Sequence, residues 1–201
     1  VLLGVLLLGS CARGPELPSA YDPGAVQSLR IPGGKRCLAL LDQLGVSHRS
    51  LSTRAGMDTP VQITGAIAGV RYTHDGHPSL ICDCRLALAL EWSAPVFASF
   101  HVSEIEHYGA YSNRRTRQGR PSLHARGLAL DAASFKFARN TESVAKDYAR
   151  GLGAGCWPDA PELNQLVCQL RGLGLFRELI TPDHDADHQD HVHLAIAPLS
   201  R

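Results

Sequence analysis

Short blocks of alternating and helix-spaced apolar residues divide this chain. Apolar positions recur at helical spacing over 37–44 and stop at Gly45, predicting a helix that ends there. Residues 60–64 and 69–72 read as short strands around small-residue turns. The stretch 85–97 is apolar enough for a mostly buried helix, which Pro95 kinks or breaks. Three strands follow from 103–111, which alternates weakly, 127–135, which is apolar and small, and 191–197, which alternates cleanly. Residues 141–150 predict a helix, with Asn140 or Thr141 as N-cap and Glu142 in its first turn. Residues 161–173 predict another, with Pro161 at its start and Gly172 or Gly174 near its end. Helices set between antiparallel-looking strands favour an α+β domain, a small antiparallel sheet flanked by helices.

Length and charge narrow the picture. At 201 residues, 44% hydrophobic, the chain suits one packed domain, placed at 34–201 and expected to be a monomer. A net charge of +1, from 20 basic and 19 acidic residues, leaves no electrostatic footprint for nucleic acid. The front end reads as targeting. Residues 1–8 are an apolar run far shorter than the ~20 residues of a membrane-spanning helix. It lacks an initiator Met and a basic start, so the signal is expected to be incomplete at its front. Leu8-Gly9-Ser10-Cys11 resembles a bacterial lipobox, which implies a signal over 1–11 and lipidation of Cys11. Residues 12–33, rich in Pro, Gly and Ser, read as a flexible tether. A lipoprotein of the cell envelope follows as the expectation. Ala12 lacks the Asp that retains lipoproteins at the inner membrane, which favours a periplasm-facing outer-membrane anchor.

Beyond Cys11 stand Cys37, Cys82, Cys84, Cys156 and Cys168, an odd number, so at least one thiol stays free or bonds elsewhere. Export permits disulfides, and Cys37 with Cys84 and Cys156 with Cys168 are the preferred pairs, although spacing leaves the connectivity open. A metal site at Cys82 and Cys84 is weak without a second Cys or His pair at zinc-site spacing.

Candidate chemistry concentrates in two places. Fully extended, His124 and Asp131 would stand about 23 Å apart at about 3.3 Å per residue, so a shared metal requires the chain to turn back. Gly127 is where that turn is cheapest. Strand alternation beyond it puts Ala129 and Asp131 on one face and Leu128 and Leu130 on the other. The same parity puts His191 and His193 side by side, with Val192, Leu194 and Ile196 on the buried face. A catalytic zinc takes three protein ligands and keeps one position open. His124, Asp131 and one member of the His191/His193 pair fill that count.

Ser122-x-His124-x-x-Gly127-x-Ala129-x-Asp131 followed by His191-x-His193 resembles the zinc signature of D-alanyl-D-alanine carboxypeptidase and lysostaphin-type metallopeptidases. The order and flanking text, over roughly 35–198, resemble the extensin-like C-terminal domain family. Gly109-Ala-Tyr111-Ser-Asn-Arg114 is similar to that family's Gly-x-Tyr-x-x-Arg. Pro182-Asp183 with His188 to His193 is similar to its ending, and Cys84-Arg-Leu-Ala to its Cys-x-x-Ala helix. The resemblance implies His124, Asp131 and His193 as zinc (Zn2+) ligands, His191 as acid/base neighbour and Arg114 as oxyanion stabiliser. Asn113 stands where the family often has Cys, Val192 where it often has an aromatic, and His191 where carboxypeptidase relatives place a Glu.

The expected function is a zinc-dependent amidohydrolase of the carboxypeptidase or endopeptidase type. It would act on peptidoglycan stem peptides with zinc-activated water as nucleophile. The alternatives are a non-hydrolytic zinc module binding peptide or wall polymer, and a metal-buffering lipoprotein built on the Asp/His-rich stretch 183–191. Buffering would leave His124, Asp131 and Arg114 unexplained. Ser122 lacks a nucleophile elbow and is expected to orient His124 or its turn. His188 either solvates the loop, swaps in as a ligand or orients His191. His48, His74, His77, His101 and His107 read as packed or solvated, and Tyr108 and Tyr111 as packing or substrate-wall residues.

Overall fold

A computed structural model describes residues 31–116, 118–152 and 156–199. The lipobox with Cys11 and the tether up to residue 30 lie outside them. The chain opens with helix α1 (Gly34–Gln43) and strands β1 (His48–Ser50), β2 (Pro60–Ile63), β3 (Arg71–His74), β4 (His77–Pro78) and β5 (Leu80–Asp83). Helices α2 (Cys84–Trp92) and α3 (Ala94–Ser99) precede β6 (Glu104–His107) and β7 (Ala129–Lys136). The last part holds β8 (Thr141–Ser143), α4 (Val144–Asp147), α5 (Glu162–Gly172), β9 (Glu178–Ile180) and β10 (Val192–Ala195).

The class is α+β, as expected. Strands β1, β2 and β5 form a three-stranded antiparallel sheet. The remaining seven form a second sheet in the order β4-β3-β6-β7-β10-β9, with β8 attached to β7. Only β3 and β6 in it run parallel. Among the described residues no helix is long and apolar enough to cross a membrane.

Helix α2 is the centre of the core. Every residue from Cys84 to Leu90 is buried, the mark of a helix covered on all sides. The predicted helix over 85–97 breaks at Ser93, and Pro95 sits at the start of α3, where its missing N–H costs nothing. Asp83 caps α2, its Oδ1 accepting from the Arg85 backbone and from Arg85 Nε at 3.2 Å. Thr59 N donates to Asp83 Oδ2 at 2.8 Å, Asp83 N donates to Gly127 O at 2.9 Å, and Arg85 Nη1 donates to Ala197 O at 3.1 Å. This buried pair thus ties three segments together beneath the turn that carries His124.

The helix predicted over 141–150 is replaced by β8 and a single turn, α4. Thr141, Glu142 and Ser143 pair with Lys136, Phe135 and Ser134. The cause is tertiary. Strand β10 covers only Ala129–Ala132 of that edge of β7, and the backbone groups beyond it need partners. A hairpin closed by Phe137 N donating to Asn140 O supplies them. Strand β6 is shorter than the predicted 103–111 because its register shifts between Glu106 and His107.

Cys37 joins Cys84, and Cys156 joins Cys168, across 47 and 12 residues. On a chain-entropy account such loops give about 4 and about 3 kcal/mol. Cys82 stays reduced and buried, and burial raises its thiol far above the ordinary range. It is therefore an inert packing residue.

Candidate metal centre

Three segments deliver the site. After Leu123 the chain makes a one-turn 3-10 helix, His124–Arg126, and leaves it through Gly127 at φ 63°. Ser122 Oγ accepts from Ala125 N at 3.1 Å and so fixes the turn. Gly127 is required twice. Its left-handed backbone disfavours any side chain, and a Cβ there would meet Asp83 N and Met57 Cε, both at 2.7 Å. Beyond it, β7 carries Asp131 opposite His193 of β10, and opposed residues of an antiparallel pair share a face.

His124, Asp131 and His193 therefore converge, and all three are buried. His124 Nε2 lies 3.1 Å from Asp131 Oδ1 and 3.3 Å from His193 Nδ1, and His193 Nδ1 lies 2.7 Å from Asp131 Oδ1. Among the described residues this is the only group of His, Cys, Asp or Glu side chains close enough to share a metal ion. A tetrahedral zinc held at about 2.0–2.1 Å would space its ligands about 3.3–3.4 Å apart. The three atoms already stand within a few tenths of an ångström of that, except for the tighter His193–Asp131 pair. Two ring nitrogens facing one another and one carboxylate oxygen are poorly served by protons alone, whereas one cation accepts all three lone pairs. The donor set, two imidazoles and one carboxylate, suits a transition-series ion and not the all-oxygen shells of calcium or magnesium. Burial pushes the Asp131 carboxyl upward, but the hydrogen bonds and charges of His124 and His193 outweigh it. They hold the carboxyl well below the usual range.

The surrounding groups are ordered. Arg114 Nη2 donates to Asp131 Oδ2 at 3.2 Å while its side chain stays 57% exposed, leaving donors for a ligand. Backbone bonds from Ser122 N to Arg114 O and from Ser112 N to His124 O lock that loop onto the turn. His191 is buried, with Nε2 3.5 Å from Asp131 Oδ1 and Nδ1 2.8 Å from Asp190 Oδ1. Tyr108 meets the His191 ring edge-on, centroids 5.9 Å apart, and is exposed on the cleft wall. Tyr111 lies farther off, its hydroxyl donating to Ala55 O. His188 stands outside the ligand group. Asp185 holds its Nδ1 at 2.6 Å, and its ring lies 5.1 Å from that of His191 and 5.8 Å from that of His193. His124, Asp131, His193, Arg114, His188, His191 and Tyr108 all face a cleft of about 990 Å³, which Arg115, Arg120, Arg126 and Arg177 also line.

Two neighbours escaped the sequence reading. Asp190 is adjacent to His191 in sequence, and that adjacency was the available signal. Glu178 Oε2 lies 4.0 Å from His193 Nε2, and only the pairing of β9 with β10 brings it there. Nothing local in the sequence marks it.

The model of the family described as Extensin-like protein C-terminus matches residues 35–200. No curated protein and no solved structure matches the chain. With nearly all of the described domain inside that match, the chain belongs to the extensin-like protein C-terminus family.

Proposed function

We propose that this member of the extensin-like family is a zinc-dependent peptidase that hydrolyses amide bonds in peptidoglycan peptides, working in the cell envelope from a lipid anchor at Cys11. The observation that carries the reading is the convergence of His124, Asp131 and His193 at the floor of an open cleft, with His191 and Arg114 beside it. Zinc held by the three would act as a Lewis acid and activate water for attack on a carbonyl.

The chain's own groups supply the rest. Asp190 accepts from His191 Nδ1, which fixes the tautomer and leaves Nε2 bare toward the cleft. Nε2 can take the proton from the attacking water and return it to the departing amine. Arg114 is anchored by one bond to Asp131 Oδ2 and presents its remaining N–H groups to the oxyanion. Ser122 acts earlier, by holding the turn that aims His124.

Purified cross-linked and pentapeptide muropeptides, incubated with zinc-loaded wild type and with His191→Ala, test this directly. Wild type is expected to cut. The variant is expected to keep one equivalent of zinc and lose about 10²–10⁴-fold in rate. Stoichiometric zinc without cleavage of any of these substrates would instead identify a non-hydrolytic module that binds peptide or wall polymer.

A further inference from the structure

Strand β9 ends the larger sheet. Strand β10 pairs one of its edges, and among the described residues no strand pairs the other. Its face and its free edge open into adjoining spaces that share Arg177, Glu178 and Ile180. The metal cleft is walled by Glu178 and Ile180 but not by Leu179, and those two residues pair with Ala195 and His193 on the site's own face. A second cavity of about 520 Å³ is walled by the consecutive residues Arg177, Glu178, Leu179, Ile180 and Thr181. Consecutive strand residues point to opposite faces. A space that touches all of them therefore runs along the backbone edge. His184 N already donates to Thr181 O at 3.0 Å, so the open stretch is 177–180.

The charges along this edge are unequally engaged. Asp183 Oδ1 accepts from Gly151 N at 2.7 Å and Oδ2 from the Tyr148 hydroxyl at 3.4 Å. Glu178 reaches toward His193. Arg171 and Arg177 also line this cavity. Both are exposed; the charge of Arg171 acts on the Tyr148 hydroxyl, but among the described residues neither guanidinium is held in an ion pair or hydrogen bond. An open edge with two unengaged guanidinium groups fits main-chain amides flanked by carboxylates.

We propose that an extended acidic peptide docks along β9 as an added strand, its carboxylates on Arg171 and Arg177 and its chain running on past Ile180 into the metal cleft. Strand addition takes affinity from main-chain hydrogen bonds and selectivity from the flanking side chains. This deepens the peptidase reading and rests on it: the docked strand would hold the substrate on the β9 side of the metal site and feed its chain toward His193.

The test measures binding without catalysis. Metal-stripped protein is titrated with a fluorescein-labelled hexapeptide containing two glutamates, and with two versions N-methylated on alternate sets of amides. In a strand only every second amide faces its partner. One methylated set is therefore expected to weaken binding about 10–100-fold, the loss of about two hydrogen bonds, and the other to leave it unchanged. Arg171→Gln with Arg177→Gln should weaken it by a similar factor and flatten its salt dependence, and amide exchange over 177–180 should slow on binding. Equal sensitivity to both methylated sets, protection elsewhere on the chain, or no binding at millimolar peptide would overturn the proposal. Intact strand docking with no cleavage by the zinc-loaded protein would instead fail the peptidase reading alone.

Discussion

Two pairs of neighbouring histidines, one within the larger sheet and one between that sheet and the turn before β7, do opposite things. At the β3/β6 end the rings of His74 and His107 stack with centroids 5.8 Å apart and planes 19° off parallel. Each is served by backbone: His74 Nδ1 meets His107 O at 2.8 Å, and His107 Nε2 meets Ser79 O at 2.7 Å. At the β7/β10 end His124 and His193 sit with centroids 5.0 Å apart and planes tilted by 57°. Their facing nitrogens meet no carbonyl; they meet each other and Asp131 Oδ1. A histidine held by a carbonyl has one ring nitrogen already committed to the backbone. Two that converge on each other and on one carboxylate make a group that a cation could fill. Burial does not separate the pairs, because His107, His124 and His193 are all buried. The identity of the acceptor does.

The largest effect is expected at the buried pair that caps α2 and braces the turn carrying His124. Asp83→Ala leaves buried Arg85 with only the exposed Asp58 carboxylate, 3.9 Å from its Nη2, and removing the buried partner of such a pair costs about 3–5 kcal/mol. Urea unfolding monitored by fluorescence should show that loss. A loss under about 1 kcal/mol would mean that the pair does not brace the site. Next comes Gly127→Ala, which places a Cβ 2.7 Å from Asp83 N at a left-handed position. Strain of this kind costs about 1–3 kcal/mol. Metal affinity should fall with it, because the turn aims His124, while the His74/His107 end stays intact by NMR.

The smallest effect sharpens the contrast from the other side. Burial, reinforced by the charge of His74, lowers the pKa of His107 against the opposing influence of Ser79 O, Glu106 and Asp131. Among the described residues its Nδ1 is buried without a partner. The unfolded chain therefore binds this proton more readily than the folded one. Stability rises with pH there: it is full above the ordinary histidine value of about 6.5 and falls as the pH drops below it toward the lowered folded value. In metal-stripped protein, His107→Phe should flatten the acid-side slope of the unfolding midpoint, whatever its effect on absolute stability. An unchanged slope would show that His107 is not held neutral.

Much of this was readable in advance because it rested on local rules. The period of two put Asp131 on one face of its strand, where His193 of β10 joins it, whereas His191 stands just before that strand and reaches the site from outside it. The need to turn between His124 and Asp131 pointed to Gly127, the residue that makes the turn. The two disulfides match the preferred pairs, and the long helix divides beside Pro95. What escaped was set by partners distant in sequence. Strand β8 exists because β10 stops short on β7, a fact that no window over 141–150 contains. The early end of β6 comes from a register shift against β7, and Glu178 reaches His193 only through the pairing of β9. Periodicity tells which way a side chain faces; it does not tell which strand lies next to it.

The proposed metal centre is tested most directly by titrating zinc into metal-stripped protein and following heat and bound metal together. The account expects one equivalent bound by wild type and by His74→Ala, and none retained on dialysis by His193→Ala. Zinc uptake that survives in His193→Ala, no uptake by wild type, or a site that takes ferrous iron and rejects zinc would contradict it.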